Sequence, residues 1–346
     1  VKLRRTSEQR IRSFPKLAGL LLSLWAPWSQ ADYSQHPGAS AFIEQLAREQ
    51  QMAPEQIASW LARAERQDSI LEAIARPAER TKTWVEYRPI FVQPLRLERG
   101  LAFWRAHREA LERAEREMGV PAELILAIIG VETHYGRITG SYRVLDALAT
   151  LAFDYPPRAG FFRKELAQYL ILMQELELPP ESFKGSYAGA MGYGQFMPSS
   201  YRNYAKDFDG DGFADIWNNP VDAIGSVAHY FARHGWRPGA PVALRARAQQ
   251  LSEAEWDRVW NRIDKPSKPV SHWRERGLEP ILPLDKRHLA QPLKLEGVHG
   301  TEYWLGFHNF YVITRYNRSH LYAMATYHLS RELRQAMNNV SEKVEP

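Results

Sequence analysis

Three stretches of this 346-residue chain carry residue types that can do chemistry. The first is Leu124 to Gly136, L-I-L-A-I-I-G-V-E-T-H-Y-G. On a helix of 3.6 residues per turn, Leu124, Ile125, Ile128, Ile129 and Glu132 share one face, and Glu132 is the single charge on it. Glu123 falls on the opposite face, where water can solvate it. Ionising a carboxylate on an apolar stripe is costly, which raises its pKa. A glutamate still protonated near neutral pH is a general acid. Gly136 is the expected helix stop, and the negative end of the helix dipole disfavours the anion further. The competing reading is a buried glutamate tied to an arginine or to backbone amides.

The second stretch is 207 to 218, D-F-D-G-D-G-F-A-D-I-W-N. Asp207, Asp209 and Asp211 stand at positions 1, 3 and 5 of a calcium loop, Gly212 at the sharp turn, Phe213 with its carbonyl at 7 and Asp215 at 9. Position 12 is Asn218 instead of the bidentate Glu, so Asp222 on the next helix is the candidate to close the site. The competing reading is an acidic solvated turn. The third stretch, 183 to 204, begins with Gly185, Gly189, Gly192 and Gly194 and places Gln195 among Tyr193, Phe196 and Met197. Small residues let backbone approach a ligand. No Gly-Lys-Ser/Thr follows, so this is not a phosphate loop. An ordinary buried amide is the plainer account of Gln195.

The elements that must position these groups are mostly helical. Helical patterns run from Ala41 to Gln51, from Ile57 to Glu65 behind Pro54 and Glu55, and from Arg96 to Met118 as one long amphipathic helix ended by Gly119 and Pro121. Residues 80 to 96 are punctuated by prolines and read as an extended loop carrying Tyr87. Two helices, 143–154 and 159–176, flank the break at Tyr155-Pro156-Pro157. A helix resumes after Pro198, and Val221 to Gly235 is another, with Tyr230 on it. Between 237 and 310 the pattern alternates: 241–247, 292–295 and 303–307 read as strands, with a charged helical piece from Glu253 to Arg262. Tyr311 to Tyr316 reads as a further strand, and 319–338 returns to helix.

Composition narrows the function classes. The chain holds 11 Trp and 16 Tyr, flat faces suited to cores and to sugar or base stacking. Its net charge of +5 fits an anionic polymer as partner. Zero Cys excludes disulfides, thiol catalysis, Cys-based metal sites and lipidation of a signal-peptide cysteine. Lys2, Arg4, Arg5, Arg10, Arg12 and Lys16 precede the apolar run from Leu17 to Trp28, and Ser29-Gln30-Ala31 supplies small cleavage-site residues. This is the layout of a secretory signal, with the processed chain expected to start near Asp32; an uncleaved anchor is the competing reading. His134, His229 and His234 make no His-Glu-x-x-His arrangement, and G-S-Y-A-G at 185–189 lacks the nucleophile-elbow spacing. No Lys/Arg stripe or recognisable module supports nucleic-acid binding. An isolated acid, a Gly-rich wall and many tyrosines suit cleavage of a glycan.

The segments I-I-G-V-E-T-H-Y-G (128–136), L-D-A-L-A-T-L-A-F-D-Y-P (145–156), G-S-Y-A-G-A-M-G-Y-G-Q-F-M-P-S-S-Y (185–201), P-V-D-A-I-G-S-V-A-H-Y-F (220–231) and N-F-Y-V-I-T-R-Y-N (309–317) resemble the lytic transglycosylase B family of Gram-negative bacteria. The resemblance implies a mainly α (α+β) fold: a goose-lysozyme-like helical core at 119–236 with a calcium loop at 207–222, an N-terminal helical domain at 32–118 behind a signal at 1–31, a small β-rich domain at 237–310, and a segment, 311–346, that returns to the core. It implies cleavage of the β-1,4 bond between N-acetylmuramic acid and N-acetylglucosamine of peptidoglycan, ending in a 1,6-anhydro sugar. Glu132 matches the family's single acid, Ser186 and Gln195 match groups orienting substrate beside it, and Tyr87, Tyr230, Tyr316, Asn317 and Tyr322 match groove positions. For each tyrosine alone, core packing is the plainer account. Asp207, Asp209, Asp211 and Phe213 match ligands of a structural calcium, with Asp222 closing. The resemblance departs at Trp217-Asn218-Asn219-Pro220, one residue longer than the family's usual turn. Peptidoglycan glycan strands are the expected partner and cell-wall synthases a further one; nucleic acid is not expected, nor a membrane except through an uncleaved signal. The expected form is a soluble monomer in the periplasm. Two alternatives use the same residues: a hydrolytic lysozyme, and a non-catalytic wall-binding protein.

Overall fold

Helices of the expected periodicity dominate the computed structural model, which describes residues 32–75, 82–249 and 256–341. The signal-like segment and the last five residues lie outside the described residues. Three short helices come first: α1 (Ala39–Gln50), α2 (Pro54–Ala62) and α3 (Asp68–Ile74). Then come α4 (Trp84–Phe91), α5 (Pro94–Ala106), α6 (Arg108–Met118) and α7 (Ala122–Thr133). A two-residue strand β1 (Tyr142–Arg143) leads into α8 (Val144–Asp154) and α9 (Ala159–Glu175), and β2 (Lys184–Gly185) pairs antiparallel with β1. After α10 (Pro198–Tyr204) and α11 (Pro220–Arg233) the chain builds a sheet. Its strands are β3 (Ala243–Ala248), β4 (Lys268–Pro269), β5 (Leu278–Pro280), β6 (Leu289–Gly297) and β7 (Gly300–Gly306), with α12 (Val270–Arg274) following β4. The order is β4-β6-β7-β3-β5, all neighbours antiparallel, and Leu293 faces Trp304 across the β6–β7 hairpin. Finally α13 (His308–Tyr316) and the 22-residue α14 (His320–Ser341) return to the helical body, where α14 packs on α4, α5 and α7.

Two apolar clusters hold these elements. The larger runs from Tyr33 through α7, α8 and α11 to Leu333; the smaller lies under the sheet around Trp256, Trp273, Leu278 and Leu305. Helix α7 is at the centre of the first, buried on every side from Leu124 to Val131. A helix apolar all round belongs inside a domain, so the one-face reading of this stretch understated its burial. Glu123 is likewise not left to water. Its side chain is 12% exposed and pairs with Arg334 at 2.5 Å, and burial pushes its carboxyl above the usual range while Arg334 opposes. Among the described residues no helix is long and apolar enough to cross a membrane.

Four further expectations are corrected by the structure. The stretch expected as an extended loop at 80–96 is, in its described part from 82 on, mostly helix: Thr83 and Glu86 form a capping box that starts α4, and Pro94 opens α5. The Arg96–Met118 helix is two helices, parted where His107 leaves helical geometry at φ −127°. Tyr311–Tyr316 is helix, with Tyr311 N–H bonding to the Phe307 carbonyl and Val312, Ile313 and Thr314 buried. Its β-branched run is overridden by packing against α14 and β7. The charged piece 253–262 lies partly outside the described residues, and from Asp257 to Asn261 it forms turns, not helix.

Candidate active site

Glu132 sits half-buried in the last turn of α7. Helix α7 stops earlier than the Gly136 signal suggests. His134, Tyr135 and Gly136 all turn left-handed, at φ 55°, 63° and 79°. The His134 and Tyr135 N–H groups bond back to the Gly130 and Ile129 carbonyls. Three left-handed residues in a row, two of them with side chains, are held only where the surroundings over-determine them. The Tyr135 ring does part of this: a Cβ at Gly100 or Gly130 would lie 2.5 or 2.7 Å from it.

The acid's side chain is met from the far end of the sequence. Tyr322, 2% exposed in the first turn of α14, donates its hydroxyl to Glu132 Oε1 at 2.5 Å. Burial and the Glu132 charge hold the Tyr322 hydroxyl protonated, well above the usual phenol range, so it remains a donor. Tyr316, at the end of α13, donates to the Gly194 carbonyl at 2.5 Å; burial first, then Glu132, raises its pKa too. A Cβ at Gly194 would come within 2.8 Å of that hydroxyl, which is why glycine stands there. Tyr230 donates to the Arg315 carbonyl at 2.6 Å, its ring 4.7 Å from Tyr316 and 3.9 Å from His234. Tyr87 is buried on α4 against Phe91 and close enough to Tyr322 to act on its hydroxyl. Asn317 leaves α13 in extended geometry, half-buried, its carbonyl accepting the Ser319 N–H.

The Gly-rich segment forms a folded loop through bridges Gly185–Met191 and Met191–Phe196. Ser186 Oγ accepts the Ala188 and Ala190 N–H groups at 3.3 and 3.1 Å, so its hydroxyl proton is what it has left to give. Gln195, at φ 50°, donates its amide to the Thr139 and Gly192 carbonyls, which leaves its side-chain carbonyl as an acceptor. Thr133 fastens this loop to α7: its hydroxyl donates to the Tyr193 carbonyl at 2.8 Å and accepts the Gly136 N–H at 3.0 Å. Sequence reasoning missed Thr133. A hydroxyl directly after the acid at a helix end was the available signal. The other candidate carboxylates are committed elsewhere. Asp146 takes a two-pronged Arg143 at 2.7 Å and the Glu65 N–H, and Asp154 accepts the Tyr33 hydroxyl at 2.5 Å beside Arg66.

The acidic loop is built around Asp222, fully buried on α11. Its two oxygens accept N–H groups from Phe208 (2.7 Å), Asp209 (3.3 Å) and Asp215 (2.8 Å). Asp207 gathers the Gly210 and Gly212 N–H groups, the Gly212 bond chief among those that lower its pKa, and burial raises that of Asp222. One oxygen each from Asp207, Asp209, Asp211 and Asp222 lie within 4.8 Å of one another. That spacing suits oxygens placed around one hard cation with metal–oxygen distances of about 2.3–2.6 Å. Asp215 spends its carboxylate on Trp217 and Asn218, while the Phe213 carbonyl accepts the Asp215 N–H. The additional Asn219 caps α11 and donates to Asp209 at 2.7 Å. Arg113 anchors the loop through the Phe208 carbonyl and ring.

Residues 34–331 match the family described as Transglycosylase SLT domain. Membrane-bound lytic murein transglycosylase B of Escherichia coli (strain K12) is 43% identical over 307 residues, 86% of this chain and 83% of its own. The X-ray structure of catenated lytic transglycosylase SltB1 from Pseudomonas aeruginosa superposes with a TM-score of 0.82 at 51% identity, covering 88% of this chain and 99% of that one. The Escherichia coli lytic transglycosylase Slt35 in complex with calcium gives 0.78 at 42%, covering 88% and 95%. The chain belongs to the lytic transglycosylase B family.

Proposed function

We propose that this chain cleaves the β-1,4 bond between N-acetylmuramic acid and N-acetylglucosamine of peptidoglycan and closes a 1,6-anhydro ring on the muramyl product. The observation that carries this reading is a half-buried acid met by a buried tyrosine hydroxyl, Tyr322 to Glu132 at 2.5 Å, in a chain of this family. Protonated Glu132 gives its proton to the glycosidic oxygen as the C1–O bond breaks. The substrate's own 2-acetamido group stabilises the cation, in place of a second carboxylate. Glu132, now ionised, takes the proton of the muramyl 6-hydroxyl as that oxygen attacks C1, so no water is consumed and the acid is regenerated. Tyr322 fixes one carboxylate oxygen and so orients the group for the proton transfers. Water must be kept from C1 for the anhydro ring to win.

Ser186 offers a hydroxyl proton and Gln195 a carbonyl to the sugars beside Glu132; Asn317 contributes an amide. The Tyr230 and Tyr316 hydroxyls are spent on backbone carbonyls, so those rings, with the buried Tyr87, shape the wall from behind. Asp207, Asp209, Asp211, Asp222 and the Phe213 carbonyl hold a structural calcium that keeps the loop before α11 folded. A secretory signal delivers the chain to the periplasm, where the glycan lies. The test is mass spectrometry of products released from purified peptidoglycan. Muropeptides one water lighter than lysozyme products support the reading. Hydrated reducing ends would replace it with hydrolysis, and tight binding without soluble product with a wall-binding protein.

A further inference from the structure

Among the described residues Arg96 is the only buried cation, 7% exposed. The buried anions Asp146, Glu165 and Asp222 are all matched by hydrogen bonds, Glu165 by the N–H and hydroxyl of Ser199. Arg96 has no carboxylate partner among the described residues. Its Nη1 donates instead to two backbone carbonyls, Gly130 at 2.5 Å and Val131 at 3.5 Å, and its Nε is buried with no partner. The guanidinium lies 5.2 Å from the Phe91 ring centroid. Val131 is the residue before Glu132, so the charge is spent at the end of the helix that presents the acid.

Burying a guanidinium without a counter-charge costs several kcal/mol in an ordinary core, and a packed apolar side chain would do better. A cation at a helix C-terminus answers the negative end of the dipole. Here it also ties α5 to the point where α7 breaks into its left-handed hook. We propose that Arg96 is a positioning residue for the acid: it caps the last turn of α7 and supplies the fixed positive charge behind Glu132 during the two proton transfers. This rests on the reading of Glu132 as acid and base. The charge lies on the carbonyls of the helix turn that presents the carboxylate, and a preorganised charge acts there without reorganisation. Tyr135, with a buried unpartnered hydroxyl, Arg99 and His134 flank Arg96, and Arg99 donates to His134 Nε2 at 2.8 Å. Tyr322 and Tyr316 face Glu132.

The test separates charge from hydrogen bond in the full chain. Arg96→Gln keeps an N–H donor and loses the charge; Arg96→Lys keeps the charge. Turnover of purified peptidoglycan is followed across pH for wild type, both variants and Glu132→Gln, with the melting temperature of each. Expected for Arg96→Gln is a kcat lower on the order of 10- to 30-fold, the effect of a partly buried charge at a helix terminus, with KM changed less than about threefold. Its alkaline limb, where the acid loses its proton, should move to higher pH, because removing a nearby positive charge favours the protonated carboxylate. Arg96→Lys should keep the wild-type limb and most of kcat. A purely structural clamp would lower the melting temperature and leave the limb in place, which overturns the inference. If Arg96→Gln does not fold, Arg96→Lys decides alone: a wild-type limb with kcat within about fivefold supports the role, and a displaced limb or a rate at the Glu132→Gln level overturns it. An inactive wild type overturns this inference together with the proposed function, whereas an active wild type with an unmoved Arg96→Gln profile overturns this inference only.

Discussion

The end of α7 and the acidic loop before α11 both gather charged side chains, but they are assembled by opposite means. Around Glu132 the partners come from distant sequence: Arg96 on α5 behind it, Tyr193 and Gly194 in the Gly-rich loop, Tyr316 and Tyr322 near the C-terminus. Most of these groups are buried or half-buried, and the Tyr316 and Tyr322 hydroxyls are already bonded. In the acidic loop four carboxylates lie within sixteen residues, three of them partly or fully exposed, and short backbone bonds such as Gly210 N–H to Asp207 hold them. The first arrangement uses tertiary packing to fix one acid. The second folds locally around a place for a cation, and only Asp222 reaches into the core. The proposed catalytic site therefore depends on how α5, α7, α13 and α14 pack, and the candidate metal site on one buried aspartate.

The comparison yields three crossed expectations. Asp222→Ala should have the largest effect, about 3–5 kcal/mol of stability, because three backbone N–H donors lose a buried anionic acceptor. Thermal unfolding checks it, and turnover should fall only as far as the folded fraction does. Chelation should lower the melting temperature of wild type through linkage and leave that of the variant unchanged; equal shifts in both would detach Asp222 from the metal. Tyr322→Phe should do the reverse. It removes a hydrogen bond to a charged group, worth ~1.5–3 kcal/mol, or roughly 10- to 100-fold in kcat, with little change in melting temperature. A Tyr322→Phe enzyme at wild-type rate would mean that the hydroxyl serves packing alone.

The smallest effect concerns the joint between α4, α14 and the sheet. His328 lies edge-on to Trp84 and Trp304, at 5.2 and 5.4 Å, with Nε2 buried and unpartnered. Burial, with Arg88, Arg331 and Arg245 nearby, pushes its pKa down to about 4. The folded value lies below the unfolded one, near 6.5. The neutral ring's contribution is therefore full above pH 6.5 and is lost as pH falls toward 4. Partial exposure discounts it to on the order of 1–2 kcal/mol. Wild type should lose melting temperature across that window more steeply than His328→Phe; parallel curves would remove His328 from the account.

How much of this was legible in sequence follows from the same contrast. The acidic loop could be read directly because its spacing is its structure. Glu132 stood out because a charge on an apolar helix needs a reason. Asp222 was read as the closing group from spacing alone; its carboxylate lies in the cluster of four and also accepts three backbone N–H groups, which spacing could not show. Tyr87, Tyr316 and Tyr322 came from resemblance, since nothing local tells a tyrosine that meets the acid from one that fills a core. Arg96 was invisible: one arginine among many, whose role exists only once α5 lies across the end of α7. The helix carrying Tyr87 was missed because its prolines outweighed the Thr83–Glu86 capping box. Helix α13 was missed because its β-branched run answers to neighbours instead of propensity.

The central claim is that one carboxylate, Glu132, carries both proton transfers. Its most direct test is turnover of purified peptidoglycan by Glu132→Gln beside wild type, at matched folded fraction and with binding to the insoluble polymer measured in parallel. A fall of at least ~10³-fold is expected, with melting temperature and binding within error of wild type. A variant retaining a tenth or more of wild-type turnover would contradict it and send the search for the acid elsewhere in the chain.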